Sequence, residues 1–253
     1  MNSASKRLAE LQVAFMLLTR IPVGNPKTHV PKLAEALWAF PAVGYVVGGI
    51  IAAFYILISQ INLSSVAAAI FAIIAGLLCT GAIHEDGLAD CADGFGGGQN
   101  REKKLAVMRD SAIGTYGTLA LILVIGLRVS ILSSLPALFE LVLLIIMCAV
   151  ISRFAMVGYL YFLPAVRQEG LGSQASINNI HSLFQAAIIS LPAIFVCTFV
   201  SYHVIITILI ASLLWGIIAK YQIGGQTGDV CGAGQILCET AGWVMLSLSY
   251  GSL

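Results

Sequence analysis

The sequence predicts an all-α protein: a polytopic integral membrane helical bundle of about seven transmembrane helices, preceded by an interfacial or re-entrant helix. Three observations carry that prediction. The 253 residues are 59% hydrophobic and only 10% charged, with a mean hydropathy of +0.95, far from the near-even apolar share and quarter-charged make-up of soluble domains. Apolar stretches recur at bilayer-crossing length, and the lysines and arginines fall in alternate loops.

The first element, Leu8–Ile21, is short and interrupted by Glu10 and Arg20, so it reads as a helix lying in the interface or re-entering rather than crossing. Met1–Arg7 leads into it with no small-residue cleavage site, and no removable signal peptide is expected. Crossing helices are predicted at 34–59, 65–83, 115–134, 139–162, 183–203, 204–220 and 230–249, each close to the ~20 residues that a bilayer core demands. Threading these alternately puts Lys6, Arg7, Arg20, Lys27, Lys32, Arg101, Lys103, Lys104, Arg109, Arg167 and Lys220 on one side and leaves the opposite loops without lysine or arginine. The positive-inside rule then makes the N-terminus and the 84–114, 163–183 and 221–229 loops cytoplasmic. No linker, low-complexity tract or repeat divides the chain, and a single domain over 1–253 is expected. The net charge of +1, with no basic stripe, excludes nucleic acid as a partner. The cysteines are scattered without zinc or disulfide spacing, and Cys79, Cys148, Cys197 and Cys238 read as small core residues.

Chemistry concentrates at the end of the second span. Four of the twelve acidic residues, Glu85, Asp86, Asp90 and Asp93, lie within nine positions. At about 100° per residue, Asp86, Asp90 and Asp93 share one stripe of a helix, where unpaired carboxylates repel and a cation relieves them. Hard oxygen donors suit magnesium, manganese or calcium better than zinc. The alternative is a solvated helix end. Gly94, Gly96, Gly97 and Gly98 follow, a run able to bring backbone amides to a phosphate, and then Arg101, Lys103, Lys104 and Arg109, although the two lysines suffice as topology determinants. Gly224-Gly225-Gln226-Thr227-Gly228-Asp229 opens the last span; Asp229 and Thr227 there are either helix-terminal caps or ligands from a second helix. Arg128, Arg153 and Glu239 fall inside apolar stretches, as functional groups or as a structural ion pair such as Arg153 with Glu239. His84 adjoins the cluster, whereas His29, His181 and His203 are isolated.

The strings His84-Glu85-Asp86-Gly87-Leu88-Ala89-Asp90, Asp93-Gly94, Arg109–Gly117 and Gly224–Asp229, with Phe15–Val23 near the start, resemble those of the cobalamin synthase (adenosylcobinamide-GDP ribazoletransferase) family, in the same order over most of the chain. The resemblance implies a late step of vitamin B12 assembly: adenosylcobinamide-GDP and α-ribazole, or its 5′-phosphate, join to give adenosylcobalamin or its phosphate, with release of GMP. It also implies Mg2+ as cofactor and a bacterial cytoplasmic (inner) membrane, with the active face toward the cytoplasm. The expected metal ligands are Glu85, Asp86, Asp90, Asp93 and Asp229; the expected catalytic residues are Glu85, Asp86 and Asp90, with Glu85 in the metal shell or acting as base. Gly96, Gly97, Arg109, Ser111, Arg153 and Thr227 are expected to hold substrate. The family usually shows Lys-Asp-Ser-Arg where this chain has Arg109-Asp110-Ser111-Ala112, so Ala112 is left out. A homo-oligomer is compatible with the sequence. Two other classes compete. A membrane CDP-alcohol phosphotransferase would carry an Ala-Arg pair after Asp86-Gly87, where this chain has Leu88-Ala89-Asp90; a cation transporter would place its acidic site near the midplane, with Arg128, Arg153 and Glu239 as gating charges.

Overall fold

The computed structural model of the protein describes residues 3–26, 30–136, 139–167, 170–175 and 180–250, so Lys27 and His29 lie outside the described residues. Among these residues the only β pairing is an isolated parallel bridge between Ala165 and Gln226; everything else regular is helix. The helices are α1 (Ser3–Leu18), α2 (Leu33–Ala36), a 3-10 turn (Leu37–Ala39), α3 (Phe40–Ser59), α4 (Ser65–Thr80), α5 (Ile83–Gly97), α6 (Arg101–Val107), α7 (Thr115–Ser134), α8 (Phe139–Phe162), α9 (Leu171–Ala175), α10 (Ile180–Ile223) and α11 (Gly228–Tyr250).

Four stretches among the described residues are long and apolar enough to cross a membrane: Leu33–Ser59, Thr115–Ser134, Val142–Phe162 and Ile180–Ile223; the bent pair α4–α5 would make a fifth. The protein is thus a multi-pass membrane protein. α10 runs 44 residues but breaks at Ser201, whose φ of −160° and ψ of 83° are not helical. At about 1.5 Å per residue the unbroken helix would be about twice as long as a bilayer core is thick. Side-chain contacts show that the chain reverses there. Before the break, Ser182 reaches Ala34 and Gln185 reaches Arg7. At the break Val200 meets Tyr250, and after it Ile208 lies against Gly242 and Trp215 bonds Val230, returning antiparallel to α11. The predicted boundary at 203/204 therefore exists, two residues early. The last predicted span, 230–249, is α11. Its Gln235, Glu239 and glycines lower its hydropathy, and burial of most of its length against α5, α8 and α10 accommodates them.

α1 behaves as the short interrupted segment predicts. It is not among the crossing helices, and its Glu10 is buried (2% exposed), accepting hydrogen bonds from Arg7 at 2.9 Å and from the Trp38 indole N–H at 2.7 Å. Five of the six free cysteines are buried and Cys79 is half-buried.

The corner that creates the site lies between α4 and α5. α4 starts on a Ser64 cap that accepts from the Ala67 N–H and ends at Gly81 in the left-handed region, φ 67°; Ala82 follows at φ 57°. Two successive left-handed residues turn the chain by 90°, so α5 leaves the direction of the span instead of prolonging it.

Candidate functional site

α5 packs on the first turns of α11, and a glycine at the crossing sets how closely. A Cβ on Gly87 would stand 2.7 Å from the Asp229 carbonyl oxygen and 3.1 Å from its Cα, so only glycine lets the two backbones touch. The crossing brings the acidic motifs of residues 86–90 and 229 together. Asp86 and Asp229 line one cavity of about 250 Å³, whose other wall is apolar and includes Leu33, Phe40, Met156 and Leu160. Burial first, then the charges of Asp229 and Asp86, push the Asp90 carboxyl up to about 6. Burial also raises the Asp229 carboxyl, against the opposing pull of Arg167.

Arg167 stands beside these carboxylates, a placement that sequence reasoning missed, having assigned the residue to topology alone. Its Nη1 lies 3.3 Å from Asp229 Oδ2, Nη2 donates to the Leu105 carbonyl at 3.5 Å, and its buried Nε has no protein partner. The isolated bridge places it: Val166 N–H donates to Gln226 O at 3.0 Å and Gln226 N–H to Pro164 O at 2.9 Å. The sequence held one faint signal, since Arg167 is the only lysine or arginine between 163 and 183.

The five expected metal ligands divide. Asp86, Asp90 and Asp229 share the crossing. Asp93, despite its place on the stripe, is bound elsewhere: its oxygens accept from the Gly114 N–H at 2.7 Å and the Gly117 N–H at 2.9 Å, capping the start of α7 from across the fold. Glu85 sits about 100° around α5 from Asp86 and turns to the interior, where it lines a small cavity with Arg128, Arg153, Gln235 and Glu239. There Arg128 pairs with Glu239 at 2.7 Å and stacks 4.2 Å over Trp243, while Arg153 lies 3.6 Å from Glu239 and donates to the Ala149 carbonyl. Arg153, expected to hold substrate, is thus a member of an internal ion network, the structural alternative that its apolar surroundings allowed. His84 lines both cavities, and its buried Nε2 has no protein partner.

The glycine run is not a phosphate-cradling loop. Residues through Gly97 belong to α5, and Gly98 N–H donates to the Gly94 carbonyl, so these amides are already spent in the helix. The glycines serve packing instead: Gly94 faces Met108, Gly96 the Tyr116 ring and Gly98 Lys104, while a Cβ at Gly97 would meet nothing. Arg109 and Ser111 are exposed in the turn before α7. Thr227 caps α11, accepting from the Val230 N–H at 3.2 Å and donating to Asp229 at 3.3 Å, which orients that carboxylate.

Among the described residues, no three of His, Cys, Asp and Glu stand gathered to hold a metal ion as the side chains lie. The donor chemistry at the crossing still fits a hard divalent cation. Asp86 and Asp229 both raise the proton affinity of Asp90, and the three carboxylates offer oxygen donors and a charge that a cation relieves.

The family model described as cobalamin-5-phosphate synthase, CobS, matches residues 10–247. A protein of Bradyrhizobium diazoefficiens named adenosylcobinamide-GDP ribazoletransferase is 39% identical over 231 residues, which cover 89% of this chain and 88% of that one. Proteins of the same name from Mesorhizobium japonicum and Shewanella woodyi are 32% and 37% identical, over 97% of this chain and 95% and 98% of theirs. No solved structure matches. Motifs and matched length agree, and the chain belongs to the cobalamin-5-phosphate synthase family.

Proposed function

We propose that this protein is an adenosylcobinamide-GDP ribazoletransferase, joining adenosylcobinamide-GDP to α-ribazole or its 5′-phosphate with release of GMP. The observation that carries the reading is near full-length similarity to proteins of that name in a chain whose Asp86 and Asp229 line an apolar-walled cavity, with Asp90 and Arg167 beside them. The acceptor hydroxyl oxygen forms a bond to the phosphorus attached to cobinamide. The bond from that phosphorus to the bridging oxygen breaks, and the electron pair leaves with GMP.

Asp86, Asp90 and Asp229 would hold Mg2+, which when bound offsets charge on the diphosphate oxygens. Arg167, with a free buried Nε and a loose pairing to Asp229, binds a phosphate oxygen next to them. The apolar wall of the cavity takes the base of α-ribazole and excludes water from the reacting phosphorus. A carboxylate of the acidic group accepts the hydroxyl proton. Glu85 supports the site from behind through the internal ion network. The excess of lysine and arginine at the end carrying the site supports a cytoplasmic active face in a bacterial inner membrane.

The test is turnover in liposomes with adenosylcobinamide-GDP and α-ribazole, with and without magnesium. Magnesium-dependent GMP release matched by a cobalamin product is expected. Well-folded protein that yields neither overturns the reading.

A further inference from the structure

Away from the acidic crossing, α8 and the two halves of α10 enclose a groove of about 590 Å³. It runs from Ile194 and Ile205 to Leu163, Leu183 and Lys220, at the end of the bundle that carries the acidic site. On α8 it extends from Ile151 to Leu163, twelve residues or about 18 Å. That is close to one leaflet of a hydrocarbon core about 30 Å thick. Apart from Ser212 and the Tyr159 hydroxyl the lining is apolar, and Lys220 is its one charge. Lys220 stands at the mouth, exposed, and makes no ion pair with any described residue.

We propose that this groove is a binding site for one anionic phospholipid of the leaflet on the acidic site's side, its acyl chain lying along the groove toward Ile194 and Ile205 and its phosphate on Lys220. Lys220 sets the orientation, because it is the groove's one charge and stands at the end that carries the acidic site. The charge sets the headgroup, because a lone exposed lysine at the surface of a bilayer attracts an anionic headgroup. The floor supplies the space. A Cβ on Gly158 would meet nothing within 4 Å, and one on Gly216 would meet only the Tyr159 ring at 3.8 Å, so both helices present a bare backbone where a chain can lie. The inference does not depend on which reaction the acidic site catalyses.

These glycines also provide the test, since larger side chains there fill the groove without entering the protein. Detergent-solubilised protein is offered equal phosphatidylglycerol and phosphatidylethanolamine, and retained lipid is counted by native mass spectrometry. The wild type should retain one phosphatidylglycerol, preferred about fivefold, the discrimination that one lysine at an anionic surface supplies. The paired substitutions Gly158→Leu and Gly216→Leu should lose it while keeping helicity by circular dichroism, and Lys220→Gln should keep a lipid but lose the preference. Should the paired variant misfold, Lys220→Gln alone decides the matter. Equal retention of both lipids by the wild type overturns the proposal, as does undiminished phosphatidylglycerol on the folded paired variant. So does a wild-type dimer that the paired variant converts to a monomer, since the occupant would then be a second copy of the chain.

Discussion

Replacing Asp90 with Asn should make the metal-free protein more stable while abolishing its turnover, and the opposite signs come from one cause. Burial and the charges of Asp229 and Asp86 move the Asp90 carboxyl from 3.8 to about 6. At about 1.36 kcal/mol per unit, the charged form costs at most about 3 kcal/mol, and because the group is partly exposed, screening leaves roughly 1 kcal/mol. The folded protein binds this proton more tightly than the unfolded chain, so the stabilisation present in acid is lost as pH rises from 3.8 through about 6. At neutral pH it is absent. Asn removes the charge, and a gain of roughly 1 kcal/mol in a chain of this length raises the midpoint by about 2–4 °C. Thermal denaturation in detergent with chelator would measure it at pH 7.5 and pH 5, where the difference between wild type and variant should shrink at the lower pH. Magnesium at a hundred times its dissociation constant should stabilise the wild type by about 2.7 kcal/mol and the variant by much less. An Asp90→Asn protein that melts lower than the wild type without metal, or gains as much from magnesium, would refute the claim that Asp86, Asp90 and Asp229 form one cation-binding group.

Other perturbations separate the remaining roles. Arg167→Gln should tighten magnesium binding, by removing the cation that pairs with Asp229, yet raise KM for adenosylcobinamide-GDP; isothermal titration and steady-state kinetics read the two signs, and weakening of both would contradict the assignment. Glu239→Gln takes the carboxylate from Arg128 and Arg153 deep in the bundle and should cost about 3–5 kcal/mol, with Arg128→Met in the same chain restoring part of the midpoint. Gly117→Ala would gain about 1 kcal/mol if helix propensity ruled. Its Cβ, however, would collide with the Asp93 carboxylate and stand 2.9 Å from the Ala89 carbonyl, so a loss of about 1–3 kcal/mol in thermal denaturation is expected.

What could be read from the sequence was whatever depended on neighbours in the chain. The 3.6-residue period put Asp86 and Asp90 on one face, and charges inside apolar runs flagged Arg128, Arg153 and Glu239 before any partner was known. Several of the misreadings involve partners far along the chain. Asp93 keeps the helical register but is captured by amides of Gly114 and Gly117. Gly94, Gly96 and Gly97 look like a loop by propensity, yet they remain helical, and Gly94 and Gly96 meet Met108 and Tyr116 at close range. Arg167 finds Asp229 through a two-bond backbone bridge that no periodicity announces. The break in α10 falls at Ser201, whereas Pro192, the residue that would ordinarily mark it, sits inside the helix.

The crossing of α5 and α11 permits a sharper statement, because the two glycines at it are not equivalent. A Cβ at Gly87 would lie 2.7 Å from the Asp229 backbone oxygen, a contact that backbone must relieve by moving, whereas a Cβ at Gly232 would lie 3.3 Å from the His84 Cα and the Ile83 carbonyl. The first displacement separates Asp229 from Asp86 and Asp90; the second is a few tenths of an ångström, one turn of α11 away. Displacement of reacting groups by about 1 Å costs about a hundredfold in rate. Gly87→Ala should therefore reduce turnover by about that factor and weaken magnesium binding, while Gly232→Ala, at the same interface and with the same gain in helix propensity, should cost less than about tenfold. Both should insert and fold. Equal losses would mean that the interface matters only as packing, whereas the expected asymmetry would mean that glycine at 87 serves to hold carboxylates from two helices at one distance.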